Sequence, residues 1–156
     1  MNRMLIRIVM TAAAGSLLIS TATFSQILPP AKRAVQVEIK QGPALEFARS
    51  DLAIVRWTSN NPGGSDDHFG VVHYGTDPKE LNQTAKSHVR LNQGHPETIF
   101  RVRLEGLNPQ TTYYYTVAST ESTGADDGVK SPVNHFTTPS PGERIQTYPQ
   151  PAQQPK

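Results

Sequence analysis

Between Ala34 and Thr138 the chain repeatedly alternates apolar and polar residues with a period of two. That period sends successive side chains to opposite faces of an extended strand, so each run reads as a half-buried β-strand. The runs are Val35–Ile39, Ala53–Ser59, His68–Tyr74, Lys86–Leu91, Thr98–Leu104, Thr112–Ser119 and Val133–Thr138. In the second run Ala53, Val55 and Trp57 share one face, and Ile54, Arg56 and Thr58 share the other. In Thr98–Leu104 the pattern turns Phe100, Val102 and Leu104 inward and Ile99, Arg101 and Arg103 outward. Tyr113, Tyr115 and Val117 share a face, and Phe136 closes the set. His68–Tyr74 has an ambiguous register, read here with Val72 and Tyr74 inward and His73 outward. Turn formers punctuate the runs at Gln41-Gly42-Pro43, Asn61-Pro62-Gly63-Gly64, Gly75-Thr76-Asp77-Pro78, Gly94 with Pro96, Gly124 and Gly128. Seven short strands separated by turns predict an all-β fold, a seven-stranded antiparallel sandwich of two sheets spanning 34–138. A single turn near Pro78–Leu81 is the one helix candidate.

The two ends depart from this pattern. Arg3 and Arg7 precede a short run of apolar and small residues, Ile8–Ser20, which is the build of a secretory signal peptide. Cleavage after Ala22 or Ser25 meets the small-residue requirement. Taking Ser25 gives a leader over 1–25 and a linker over 26–33. From Pro139 to Lys156 the chain is rich in Pro and Gln and poor in large apolar groups. Such a segment buries too little surface to offset its ordering entropy, so the pattern predicts a disordered tail over 139–156.

Composition narrows the function classes. The chain has 156 residues, 36% hydrophobic and 18% charged, with 13 prolines, 11 glycines and no cysteine. One small core fits this length, and disulfides, thiolate metal sites and thiol nucleophiles are excluded. The formal net charge is +2, but both excess charges leave with Arg3 and Arg7. A near-neutral mature chain gives no reason to expect nucleic acid or an anionic membrane as partner.

The stretch Leu107-Asn108-Pro109-Gln110-Thr111-Thr112-Tyr113-Tyr114-Tyr115-Thr116-Val117 resembles the sixth-strand signature of fibronectin type III domains, Leu-x-Pro-x-Thr-x-Tyr-x-Tyr-x-Val. The resemblance implies that Leu107 plugs the core, that Pro109 stiffens the corner and that Tyr113 hydrogen-bonds corner backbone through its hydroxyl. Trp57 matches the family's core tryptophan, and Phe136-Thr137-Thr138-Pro139 its last-strand exit. A narrower resemblance, carried by Ile54–Thr58, Val72–Thr76 and the Leu107 corner, is to the fibronectin-like N-terminal domain of purple acid phosphatases. That family's dimetal ligands lie in motifs such as Gly-Asp-x-x-Tyr and Gly-Asn-His-Glu, which this sequence does not contain. The resemblance thus implies an accessory role, and fold likeness alone confers no catalysis.

Candidate chemistry falls into two groups. Asp66-Asp67 and Asp126-Asp127 lie in the Ser59–Asp67 and Glu121–Lys130 loops, which the fold brings to one end; hard oxygen ligands on loops suit calcium. Asp is equally an ordinary turn former. Arg56, Arg101 and Arg103 point outward on neighbouring strands and suit an acidic polysaccharide or protein. His68 and His73 are an odd step apart and face opposite ways, so they read as solvated strand-end residues, not as paired ligands. Tyr114 is the outward aromatic suited to stacking on sugar. Together these features predict a secreted or periplasmic monomer, free of the membrane after leader cleavage. It would be non-catalytic, with no resident cofactor or metal, and would bind a protein or polysaccharide of the cell envelope. The alternative is an accessory domain of a metal-dependent acid phosphatase.

Overall fold

The computed structural model describes residues 34–61, 64–91, 94–126 and 130–147. The expected leader, its linker and Asp127 lie outside these residues. Eight strands form: β1 Ile39–Arg49, β2 Leu52–Asn60, β3 Asp67–Gly75, β4 Gln83–Arg90, β5 Glu97–Glu105, β6 Thr112–Glu121, β7 Asn134–Thr137 and β8 Arg144–Gln146. They make two antiparallel four-stranded sheets, ordered β5-β2-β1-β8 and β4-β3-β6-β7. Pro78 and Lys79 form a turn closed by the Glu80 N–H on the Asp77 carbonyl (3.1 Å), where one helical turn was expected.

The core follows the alternation. Ala53, Val55 and Trp57 of β2 face Phe100, Val102 and Leu104 of β5 in register, and all are buried. From the second sheet come Val72 and Tyr74 of β3, Tyr113, Tyr115 and Val117 of β6, and Phe136 of β7. Trp57 stacks on Phe100 with ring centroids 5.1 Å apart and planes 13° from parallel. Gly70 of β3 sits over that stack, and a Cβ there would lie 2.9 Å from Phe100 and 3.0 Å from Trp57. The glycine is what lets the two sheets approach at the bulkiest pair of the core.

Other expectations are corrected as well. The first strand was expected at Val35–Ile39, but only Val37 of that run is buried beside a fully exposed Val35. Asn60 holds this segment through its side chain instead, accepting from the Glu38 N–H and donating to the Gln36 carbonyl, both at 2.9 Å. The strand that does form begins at Ile39 and runs straight through Gln41-Gly42-Pro43, read as a turn from its composition. Its pairing with β2 slips at Ile39/Gln41, Gln41/Ala44 and Leu45/Phe47. Each slip breaks the period of two, which is why the alternation does not reveal it. At Gly42 the backbone takes φ +84°, and a Cβ would lie 3.0 Å from the Arg56 carbonyl, so glycine is required there.

His68, expected in solvent, is fully buried at the start of β3. It lies an even number of residues from Val72 and Tyr74, so the regular strand turns it to their inward face.

The expected tail is ordered as far as Thr147. A turn at Ser140–Glu143, closed by the Glu143 N–H on the Ser140 carbonyl (3.0 Å), returns the chain to β1 as β8. All three β8 residues are exposed. Backbone pairing on an open sheet edge holds them, and composition does not report that kind of bond. Residues 148–156 lie outside the described residues.

Candidate functional site

Between β5 and β6 the chain turns through Leu107, which is buried, and Gln110, at φ +50°. The Tyr113 hydroxyl accepts the Asn108 backbone N–H at 2.9 Å. Thr138, buried at the end of the sandwich, donates its hydroxyl to the Asn108 carbonyl at 2.6 Å and accepts the Thr111 N–H at 2.9 Å. Trp57, Leu107, Tyr113 and Tyr115 are thus inside, and Pro109 lies at the exposed turn. Burial pushes the Tyr115 hydroxyl up to about 12. These side chains build the frame and leave the outer faces, edges and loops to meet partners.

On the outer face of the first sheet Arg56 and Arg101 stand directly opposite one another on β2 and β5. The slip between Leu45 and Phe47 inserts Glu46 as the extra residue of β1. A bulge of this kind re-aims one side chain. Here it delivers the Glu46 carboxylate to Arg101 Nε at 2.8 Å and to Arg56 Nε at 3.7 Å. The Arg56 and Glu46 side chains are only 12% and 14% exposed, while Arg101 is open at 58%. Arg103 pairs with Glu105 at 2.6 Å, both exposed. The three arginines share a face, and each has a carboxylate beside it. Glu46 is the residue that the alternation misses, because it lies on the slipped part of β1.

A groove of about 610 Å³ opens beside this face, between the edge strands β4 and β5. Arg56, Arg90 and His95 give it positive or protonatable groups, against one carboxylate, Glu97. Gln41, Thr58 and Thr98 add polar groups, and Val89, Pro96 and Ile99 form an apolar side. Arg90 was not singled out in the sequence. The available signal was the run Lys86, His88, Arg90, whose every-second-residue spacing puts three basic side chains on one face of β4.

The acidic loops meet only in part. The Ser122 N–H donates to the Asp67 carbonyl at 3.1 Å, so the two loops do lie at one end. Asp67 is the first residue of β3, and its carboxylate is 3.0 Å from His88 Nε2. The Asp66 carbonyl accepts the Leu91 N–H at 2.8 Å. Asp126 bridges to Thr120, where the loop turns back over the outer face of the second sheet. There a hollow of about 360 Å³ is lined by His73, Lys86, Lys130 and Asp126 above a floor of Val71 and Ala118. Burial, then Lys130 and Lys86, hold the His73 imidazole below its ordinary value, with Asp126 acting in the opposite sense. Among the described residues no group of three or more His, Asp or Glu is placed to hold a metal ion. Tyr114 lies on the same outer face beside His135, with ring centroids 6.1 Å apart.

Two packed antiparallel sheets closed by a tyrosine corner define a fibronectin type III-like domain. The family model of the purple acid phosphatase N-terminal domain matches residues 41–138, and the chain belongs to that family. Solved structures similar to it include the sensor domain of the anti-sigma factor RsgI4 in Pseudobacteroides cellulosolvens. Its solution structure has a TM-score of 0.51 at 16% identity, covering 79% of this chain and 92% of that one. A second structure of that sensor domain gives 0.47 at 19% identity, covering 67% and 95%. The fn3 domain of human contactin 1 gives 0.43 at 16% identity, covering 79% and 97%. At these identities the likeness speaks to fold alone. The comparison with curated proteins gave no match.

Proposed function

We propose that the chain is exported and acts as a non-catalytic binding module for an acidic polysaccharide of the cell envelope. The basic start and short apolar run of the sequence support export. The observation that carries the binding reading is the β4–β5 groove. Arg56, Arg90 and His95 line a volume large enough for a sugar unit, with the Glu97 carboxylate in the lining and that of Glu46 beside Arg56. The Glu46 carboxylate lies beside Arg56, 3.7 Å from its Nε, on the β1 side of the groove's arginine. Arg90 is exposed and lines the groove, which puts its charge where an anion can meet it. The apolar side formed by Val89, Pro96 and Ile99 suits the carbon face of a sugar ring.

The test is calorimetric titration of the mature protein with a uronic-acid oligosaccharide and with its neutral counterpart. Binding is expected for the acidic ligand, weakening as salt screens the charges. Arg90→Glu is expected to cost roughly tenfold in affinity, equivalent to about 1.4 kcal/mol. Equal binding of the neutral ligand, or full affinity in Arg90→Glu, would overturn the groove assignment.

A second reading rests on the family match. The module would then be the accessory partner of a separate metal-dependent acid phosphatase chain. Co-purification of a phosphatase from the native source, unaffected by Arg90→Glu, would favour it.

A further inference from the structure

Strand β8 meets β1 along a short front. Three residue pairs join them: Phe47 with Gln146, Ala48 with Ile145 and Arg49 with Arg144. Just beyond, the Thr147 N–H donates to the Glu46 carbonyl at 3.1 Å, and the Thr147 hydroxyl donates to the Leu45 carbonyl. Those two carbonyls belong to the bulge that delivers the Glu46 carboxylate to the arginines. The bulge fixes which residue can stand opposite it, so this edge accepts a strand in one register. The docked strand itself buries little, since its three side chains are all exposed. An element held mainly by exposed backbone bonds opens locally far more readily than the core strands. The connection from Thr137 to Arg144 is short and braced. It carries Pro139, Pro141 and Gly142, the last at φ +87°, and the Ser140 N–H is tied to the Glu143 carboxylate at 3.2 Å. A hinge this short is of the kind that invites exchange of a terminal element between copies, at the cost of the turn's own bonds.

We propose that β8 is an exchangeable strand. The β1 edge from Leu45 to Arg49 accepts the β8 of a second copy of this chain in the same register, giving a strand-swapped dimer as concentration rises. The occupant follows from the edge. A second copy's strand reproduces every bond the resident strand makes, including both Thr147 bonds at the bulge. Exchange then changes only the hinge, which makes swapping a low-cost route to a dimer. The family match ends at residue 138, so the strand that closes this edge lies outside the family's domain.

The chain has no cysteine, so a disulfide can report the pairing without background. Arg49→Cys with Arg144→Cys places thiols on residues that stand opposite one another in the antiparallel pair, within disulfide reach. The full chain is equilibrated at high and at low concentration, diluted equally, oxidised, and run on a non-reducing gel beside both single-cysteine variants. Intrachain closure is expected from the dilute sample. A covalent dimer, several-fold above the single-cysteine controls, is expected from the concentrated one, with a matching dimer mass by light scattering. Lengthening the Ser140–Glu143 turn with two Gly-Ser pairs is expected to shift the concentrated sample back to monomer. Intrachain closure alone at every concentration, with a monomer mass, would overturn the exchange. Failure to cross-link either way would overturn the pairing and the proposal together.

Discussion

The Tyr113 hydroxyl and the Asn108 backbone nitrogen are 2.9 Å apart, five residues distant in sequence, and their bond closes the corner between β5 and β6. The ring of the same tyrosine is buried, stacked against Phe136 with centroids 5.8 Å apart. One residue therefore ties the loop to the core. Replacing Tyr113 by Phe keeps the ring and removes only the acceptor. The expected cost is about 1–3 kcal/mol, the penalty for leaving a partly buried N–H unmet. Denaturant titration should show a lower midpoint with an unchanged slope, and an unchanged midpoint would remove the corner from the stabilising features.

Truncating Trp57 to Ala deletes the largest buried side chain and leaves Phe100 without its stacking partner. The expected loss is about 3–5 kcal/mol, a large share of a small domain's stability. Gly70→Ala acts on the same contact from the opposite sheet, by overpacking, and is expected to cost about 1–3 kcal/mol. In a Trp57→Leu background the added methyl should find room, so a double-mutant cycle should show coupling between positions 57 and 70. Strict additivity would mean that the close approach at Gly70 does not limit the packing.

Glu46 neutralises two arginines at once, one of them nearly buried. Glu46→Gln removes the carboxylate charge that lies beside both the Arg56 and the Arg101 guanidinium. The expected cost lies between the surface and buried limits for ion pairs, about 1–3 kcal/mol. Arg101→Gln, at an exposed position, should cost less than about 1 kcal/mol. Equal effects from the two substitutions, read from thermal melts, would contradict this ranking.

Stability should respond to pH at both ends of the range. His73 has its imidazole pKa held below the ordinary 6.5, chiefly by burial. Between the lowered and ordinary values the unfolded chain binds a proton that the folded chain does not, so stability rises with pH across that interval. On acidification it falls as pH drops through about 6.5 toward the folded value, and His73→Gln should flatten that limb of a melting-temperature profile. Tyr115 gives the opposite limb. Its hydroxyl is raised from 10.0 to about 12 by burial. That contribution is complete below the ordinary value and is lost as pH climbs through the folded one. Tyr115→Phe should therefore lose less stability than the parent chain in alkali. Parallel profiles in parent and variants would disprove both assignments.

The sandwich was legible because its core strands keep strict alternation. Phe100, Val102 and Leu104 could be assigned to the interior from spacing alone. Legibility fails where a different interaction takes over. Strand β1 slips in register three times against β2, so its apolar positions follow no single period. Strand β8 is held by backbone bonds, so neither its composition nor its exposed side chains announce it. Glu46 and Arg90 were missed for related reasons. The value of Glu46 depends on a bulge, and that of Arg90 on β4 lying beside β5 across the two sheets. Asp126 was visible as an acidic loop residue, but its position over the outer face depends on the way the loop turns back after Thr120.

The antiparallel docking of β8 also sets how the domain bears load. With Arg144 opposite Arg49 and Thr147 opposite Glu46, the C-terminal end of β8 points the same way as the start of β1 at Ile39. A pull applied between those two points meets the hydrogen bonds in sequence, as a zipper does, and each breaks before the next is strained. Thr147 yields first and Arg144 last, at a force set by single bonds. The pull then reaches the hinge and the buried Thr138, where the corner bonds to Asn108 and Thr111 share the tension. The domain thus pays out the slack of one short strand before its seven-stranded body is stressed, as a mechanical fuse would.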